Sequence, residues 1–244
     1  MDQTPTPSPS AATIAASTAI EPFNFTLLNT VEAVLRNPRQ IVAALAGPKS
    51  LKLSSALALI ATLCATAYGL VVGSFSGENQ WWAAPMKIVG GLAVSAFICL
   101  PSLYIFSCMS GSRARPGQMI GLLLAMLTLA NLLLIGFAPV AWIFSQSTDS
   151  TACVGFFHIL FWICALLFGC RFISVALREL GSHSTSLIGL WTIIFLLVTL
   201  QMTTSLRPFV GTSARLLPEK KIFFLTYWID GGSEKSNSTH ARND

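Results

Sequence analysis

The residues able to do chemistry in this chain are few, and most stand inside apolar runs. The three histidines, His158, His183 and His240, are scattered and form no H-E-x-x-H, so no metal cluster is read from them. The six cysteines, Cys64, Cys99, Cys108, Cys153, Cys164 and Cys170, include no C-x-x-C pair. Within hydrophobic stretches they read as small packing residues, with no disulfide framework. The five long apolar runs hold no Asp or Glu, which argues against a proton relay, an ion-coupled pump or a paired-carboxylate protease. Phe75 stands where a G-x-S-x-G elbow would need its serine between Gly73 and Gly77, and no phosphate-cradling glycine loop is present. No catalytic constellation and no cofactor is expected.

What remains is neutral polar chemistry. Asn131 lies mid-run, Gln201 near the end of the last run, and Thr192, Thr199 and Thr203 share one helical face at i, i+7 and i+11. These groups could line a polar path through a membrane. Alternatively they hydrogen-bond between helices, with the threonines bonding back to their own helix. His158, alone near the end of its run, reads as a hydrogen-bonding core residue. Arg171, a turn or two inside the same run, is long enough to snorkel. A second pattern is steric. Ala61, Ala65, Gly69, Gly73 and Gly77 recur every four residues, and small residues at that spacing form a groove that another helix can enter closely. The groove serves packing within the chain, or an interface with a second membrane protein or a second copy. Gly117, Gly121 and Ala125 form a shorter version.

The elements that must position these groups follow from charge. Of 244 residues, 53% are hydrophobic and 10% charged, against about 25% charged in soluble domains. No Asp, Glu, Lys or Arg occurs between Lys52 and Glu78, Lys87 and Arg113, Arg115 and Asp149, Asp149 and Arg171, or Glu179 and Arg207. A spanning helix needs about 20 mostly apolar residues. The expectation is an all-α, polytopic transmembrane bundle with five spans at residues 53–75, 86–106, 119–144, 154–177 and 186–206, within a bundle region of 49–211.

Residues 1–22 read as a disordered tail rich in Ser, Thr, Pro and Ala. Residues 23–48 read as short amphipathic helices lying in the membrane interface. Leu27, Leu28, Val31, Val34 and Leu35 share a face. Asn37-Pro38 ends one helix and starts the next, which carries Ile41, Val42 and Leu45. Residues 212–244 read as an interfacial segment, from Lys221 to Ile229, followed by a disordered tail.

The net charge of +5 sits at the ends of apolar runs, which points to orientation and anionic lipid and away from nucleic acid. Arg36, Arg39, Lys49, Lys52, Arg113, Arg115 and Arg178 fall on one side of the five-span scheme, which puts the N-terminus in the cytoplasm. Trp81, Trp82 and Trp142 then share the other interface as an aromatic belt. Arg207, Arg215, Lys220 and Lys221, after the fifth run, oppose that pattern.

The layout resembles the Yip1 family of five-span membrane proteins: an N-terminal segment facing the cytosol, five clustered spans, and the far end across the membrane. Leu45-Ala46-Gly47-Pro48 is similar to that family's Asp-Leu-aromatic-Gly-Pro element, with Ala44 in place of the acidic residue and Ala46 at the aromatic position. The family's Gly-Tyr motif is not found. Leu206-Arg207-Pro208-Phe209-Val210-Gly211 resembles an ending of uncharacterised bacterial Yip1-like proteins. The resemblance implies a non-catalytic component of a bacterial inner membrane. The functions expected are therefore a membrane scaffold or adaptor, or else a permease or channel subunit. A membrane enzyme acting on lipid is a third reading, with no residues to carry it.

Overall fold

In hydrocarbon no water satisfies a backbone N–H or C=O, so each uncharged run closes its hydrogen bonds on itself as a helix. The computed structural model describes residues 26–73, 83–147 and 151–205, which form seven helices and no strand. They are α1 (Leu27–Arg36), α2 (Pro38–Ala46), α3 (Ser50–Gly73), α4 (Ala83–Met109), α5 (Pro116–Ser147), α6 (Thr151–Glu179) and α7 (Thr185–Ser205). The chain is an all-α polytopic bundle. Four stretches, Ser50–Gly73, Ala84–Met109, Pro116–Phe144 and Phe156–Glu179, are long and apolar enough to cross a membrane. In α7 the apolar stretch Ser186–Met202 is shorter. Residues 1–25, 74–82, 148–150 and 206–244, with the N-terminal tail, Gly77, the Trp81-Trp82 pair and the C-terminal segment, lie outside the described residues.

The helices pack crosswise. α4 lies along α7 and α3, and α5 along α3 and α6, while α4 and α5, or α6 and α7, touch only lightly. The hairpins α4–α5 and α6–α7 thus embrace each other instead of closing on themselves. α3 fills the remaining side against α5 and α4, and α2 lies across α3, α5 and α6 at the end where the two hairpin turns meet. The core between the helices is aliphatic and aromatic, with Leu57, Tyr68, Leu103, Met126, Ile173, Trp191 and Phe195 all buried.

The α1–α2 region differs from its sequence reading in one respect. Periodicity gathered Leu27, Leu28, Val31, Val34 and Leu35 on one face. The buried residues of α1 are instead Thr30, Ala33 and Val34, and Leu27, Leu28 and Leu35 are exposed. The docked face is turned about a quarter revolution from the apolar one, because small side chains allow α1 to approach the bundle closely while leucines hold it away. Asn37 precedes α2 with Pro38 at its first position, but its side chain makes no cap bond. Its main-chain N–H instead bonds Ala33 O at 2.9 Å, and its carbonyl accepts from Gln40 N–H at 3.0 Å. Ile41, Val42 and Leu45 of α2 are all buried. Leu45 fits a notch at Gly121, where a Cβ would stand 2.4 Å from Leu45 Cδ2. Arg39 Nε binds Glu179 Oε1 at 2.9 Å and ties α2 to the end of α6.

Candidate functional site

The small-residue stripe is occupied within the chain. Ala61, Ala65, Gly69 and Gly73 are all buried in the α3 interfaces. A stripe of period four winds about 40° around its helix at each step, so its two ends face different neighbours. Near the lower end the Leu57 carbonyl accepts from Thr128 Oγ1 of α5 at 2.9 Å. Near the upper end Gly69 meets α4, and a Cβ there would lie 2.6 Å from Pro85 Cα. At Gly69 this geometry is packing inside the bundle.

The polar residues of the sequence reading are spread over two helices that are not packed on one another, α5 and α7. Thr192 Oγ1 bonds Ile188 O at 3.0 Å, and Thr199 Oγ1 bonds Phe195 O at 2.8 Å, each within its own helix. Gln201 is half-buried on α7, and the Thr203 side chain lies outside the described residues. Asn131 Nδ2 bonds Leu127 O at 2.8 Å, again one turn back. Its Oδ1 is buried without a partner, as is Ser95 Oγ of α4. No group of three or more His, Cys, Asp or Glu is arranged for a metal among the described residues.

Two polar assemblies join residues that the sequence does not pair. The first is a buried pair. Tyr68 of α3 and His158 of α6 are joined Oη to Nδ1 at 2.9 Å, with the rings edge to face. His158 is thus a hydrogen-bonded core residue, 90 positions from its partner. The only advance sign of Tyr68 was a phenol in an otherwise apolar run, since a buried Tyr hydroxyl needs a partner. We expect a double-mutant cycle of Tyr68→Phe and His158→Gln, read by reversible unfolding in mild detergent, to return a coupling of about 0.6–1.7 kcal/mol. Strictly additive losses would mean that the contact contributes nothing.

The second is a clasp of two turns. α4 ends in Ser110-Gly111-Ser112 and α6 in Leu180-Gly181-Ser182, with Gly111 at φ +86 and Gly181 at φ +87. Both use the same carbonyl-capping bonds, Ser112 N–H to Ser107 O and Ser182 N–H to Leu177 O, each 3.0 Å. The turns then exchange main-chain bonds. His183 N–H donates to Ser110 O at 2.9 Å, and Arg113 N–H to Leu180 O at 3.3 Å. Because each bond runs from the third residue after one turn's start to the start of the other, the pair obeys an approximate local twofold. Ser110 Oγ completes the clasp. It donates to Ser184 O at 3.0 Å, accepts from Ser184 N–H at 3.0 Å, and bonds the Ser182 hydroxyl. That uses its one donor and both acceptor positions.

Gly111→Ala and Gly181→Ala should each cost about 1 kcal/mol, since an L side chain is strained at this backbone angle. At Gly181 nothing lies within 4 Å of the added methyl, so Asn there should recover much of the loss. A thermal unfolding series of the three variants checks both points. The turns share only Gly-Ser, seventy positions apart, which is too short a signal to read as a repeat from sequence.

The chain matches no protein-family model, no curated protein and no solved structure.

Proposed function

We propose that this chain is a non-enzymatic component of a membrane, a scaffold or adaptor with five spans and its N-terminal region in the cytoplasm. The observation that carries the proposal is where its polar groups go. Tyr68 is committed to His158, Thr128 to the Leu57 carbonyl, Trp191 to the Cys99 carbonyl, and Thr192 and Thr199 to their own helix. Among the described residues, Ser95 Oγ and Asn131 Oδ1 are the buried side-chain atoms left without a partner, too few to wet a continuous path. The likeness of the layout to the Yip1 family supports the same role and a bacterial inner membrane. The test is to purify the tagged full chain at native expression in mild detergent and identify what accompanies it. A stoichiometric protein that survives washing supports the adaptor. A partner-free particle from several detergents overturns it.

One observation favours the permease reading as second. Two hairpins of like direction about a local twofold along the bundle axis match the parallel repeats of some transporter folds. Solute uptake by vesicles holding the purified protein, above that of empty vesicles, would favour that reading. Uptake equal to empty vesicles rejects it.

A further inference from the structure

We infer that the end of the bundle carrying α1, α2 and the two clasped turns is a docking surface for anionic phospholipid, with the leucines of α1 seated among the acyl chains of that leaflet. The inference does not depend on whether the chain is an adaptor.

Three observations meet at this end. The first is charge. Of the nine basic side chains among the described residues, all but Lys87 belong to α1, α2, the start of α3, the hairpin turns or the adjoining end of α6. The two described carboxylates are already held by arginines, Glu32 by Arg36 and Glu179 by Arg39, each at 2.9 Å. Lys52, Arg113 and Arg115 are exposed and have no carboxylate partner among the described residues. The second is an apolar edge facing outward. With α1 docked through Thr30, Ala33 and Val34, Leu28 is 78% and Leu35 51% exposed. Leu51, beside Lys52 on the first turn of α3, is 84% exposed.

The third is depth. Leu45 of α2 is notched into Gly121, the sixth residue of an apolar stretch that begins at Pro116. Helix α2 therefore lies against the first turns of a helix able to cross the membrane, at the level where hydrocarbon gives way to headgroups. A single residue, Asn37, joins α1 to it.

A surface that offers leucines and cations together at that depth fits the boundary of an anionic leaflet. There the apolar side chains replace lipid contacts and the cations meet phosphate. A soluble acidic partner would satisfy the cations and leave the leucines without an apolar neighbour.

The experiment uses the full chain in mild detergent, titrated with phosphatidylglycerol or phosphatidylcholine and read by native mass spectrometry. We expect preferential retention of phosphatidylglycerol. The preference should fall about fivefold for each of Lys52→Gln, Arg113→Gln and Arg115→Gln, and on the order of a hundredfold for the three together. Lys87→Gln, at the other end, should leave it unchanged. A parallel measurement places an environment-sensitive fluorescent amino acid at position 28 or 35 in vesicles containing phosphatidylglycerol. Quenching by a shallow acyl-chain label and protection from aqueous iodide are expected. Equal retention of the two lipids overturns the inference. So does iodide quenching at position 28, or protection from both quenchers, since the latter means that protein covers the edge.

Discussion

Gly69→Ala should lower the unfolding temperature of the detergent-solubilised protein by several degrees, and Gly69→Leu should yield no monodisperse protein. The physical reason is a backbone contact. A methyl at Gly69 would stand 3.1 Å from Pro85 N and 2.6 Å from Pro85 Cα, the latter closer than real Cβ atoms approach. Proline main-chain atoms at the start of α4 cannot swing aside as a flexible side chain would. The helices must therefore separate, and separation forfeits dispersion along their shared length. Overpacking of this kind costs about 1–3 kcal/mol for one methyl and more for a larger group. In lipid there is little apolar transfer energy between helices to offset the loss. Gly90→Ala is the matched control on α4, where nothing lies within 4 Å of the added carbon. It should be neutral or stabilising by up to about 1 kcal/mol. Equal stability of the Gly69 and Gly90 variants would show that α3 and α4 are not in this close contact. Loss of a partner protein on Gly69→Leu would report a broken bundle, so such variants cannot map an interface.

The second large effect is expected at Trp191. Its side chain is fully buried, its Nε1–H donates to Cys99 O at 3.2 Å, and it stacks on Phe195 with ring centroids 5.2 Å apart. It joins α7 to α4, whereas α6, the helix before α7 in sequence, touches α7 only lightly. Trp191→Ala should cost about 3–5 kcal/mol, because the surroundings can fill only part of the space left. Trp191→Phe keeps most of the ring volume and loses one interhelical bond, worth about 0.6 kcal/mol on average in membrane bundles. The separation between the two variants is the check. If Phe and Ala cost the same, the hydrogen bond and not the packing anchors α7.

How much of this was readable beforehand depends on whether a signal is local. The helices were visible because charges are forbidden across about 20 residues of hydrocarbon, a constraint each run carries alone. Their ends were less so. α3 starts at Ser50, and α5 runs from Pro116 to Ser147, because a helix continues through polar residues once begun and the bilayer does not end it. The amphipathic nature of α1 was visible, but not which side docks. Periodicity locates apolar residues, while close approach is decided by small ones such as Thr30 and Ala33. The stripe at Ala61, Ala65, Gly69 and Gly73 was visible as a groove, but the neighbours along that helix, from Thr128 opposite Leu57 up to Pro85 against Gly69, were not. Nor was the partnership of Tyr68 with His158, or the clasp. Each joins positions some seventy or more residues apart, and nothing in the intervening sequence encodes the meeting. The polar set Asn131, Thr192, Thr199, Gln201 and Thr203 is open in sequence to two uses, lining a path or hydrogen-bonding within the bundle. The Thr192 and Thr199 hydroxyls bond their own helix, as the second use expects, and α5 and α7 are not packed neighbours.

The crosswise hairpins have a consequence for how the protein is made. α4 is synthesised well before α7, yet it packs closely along α7 as well as along α3, and 92 residues separate Cys99 from Trp191. At about 5–20 residues per second, that interval lasts on the order of 5–20 s. Throughout it the face of α4 that will receive Trp191 has only lipid or the insertion machinery beside it. Neither hairpin can finish folding when its own two helices are in place, so the bundle is completed after insertion, when the last helix closes on the second.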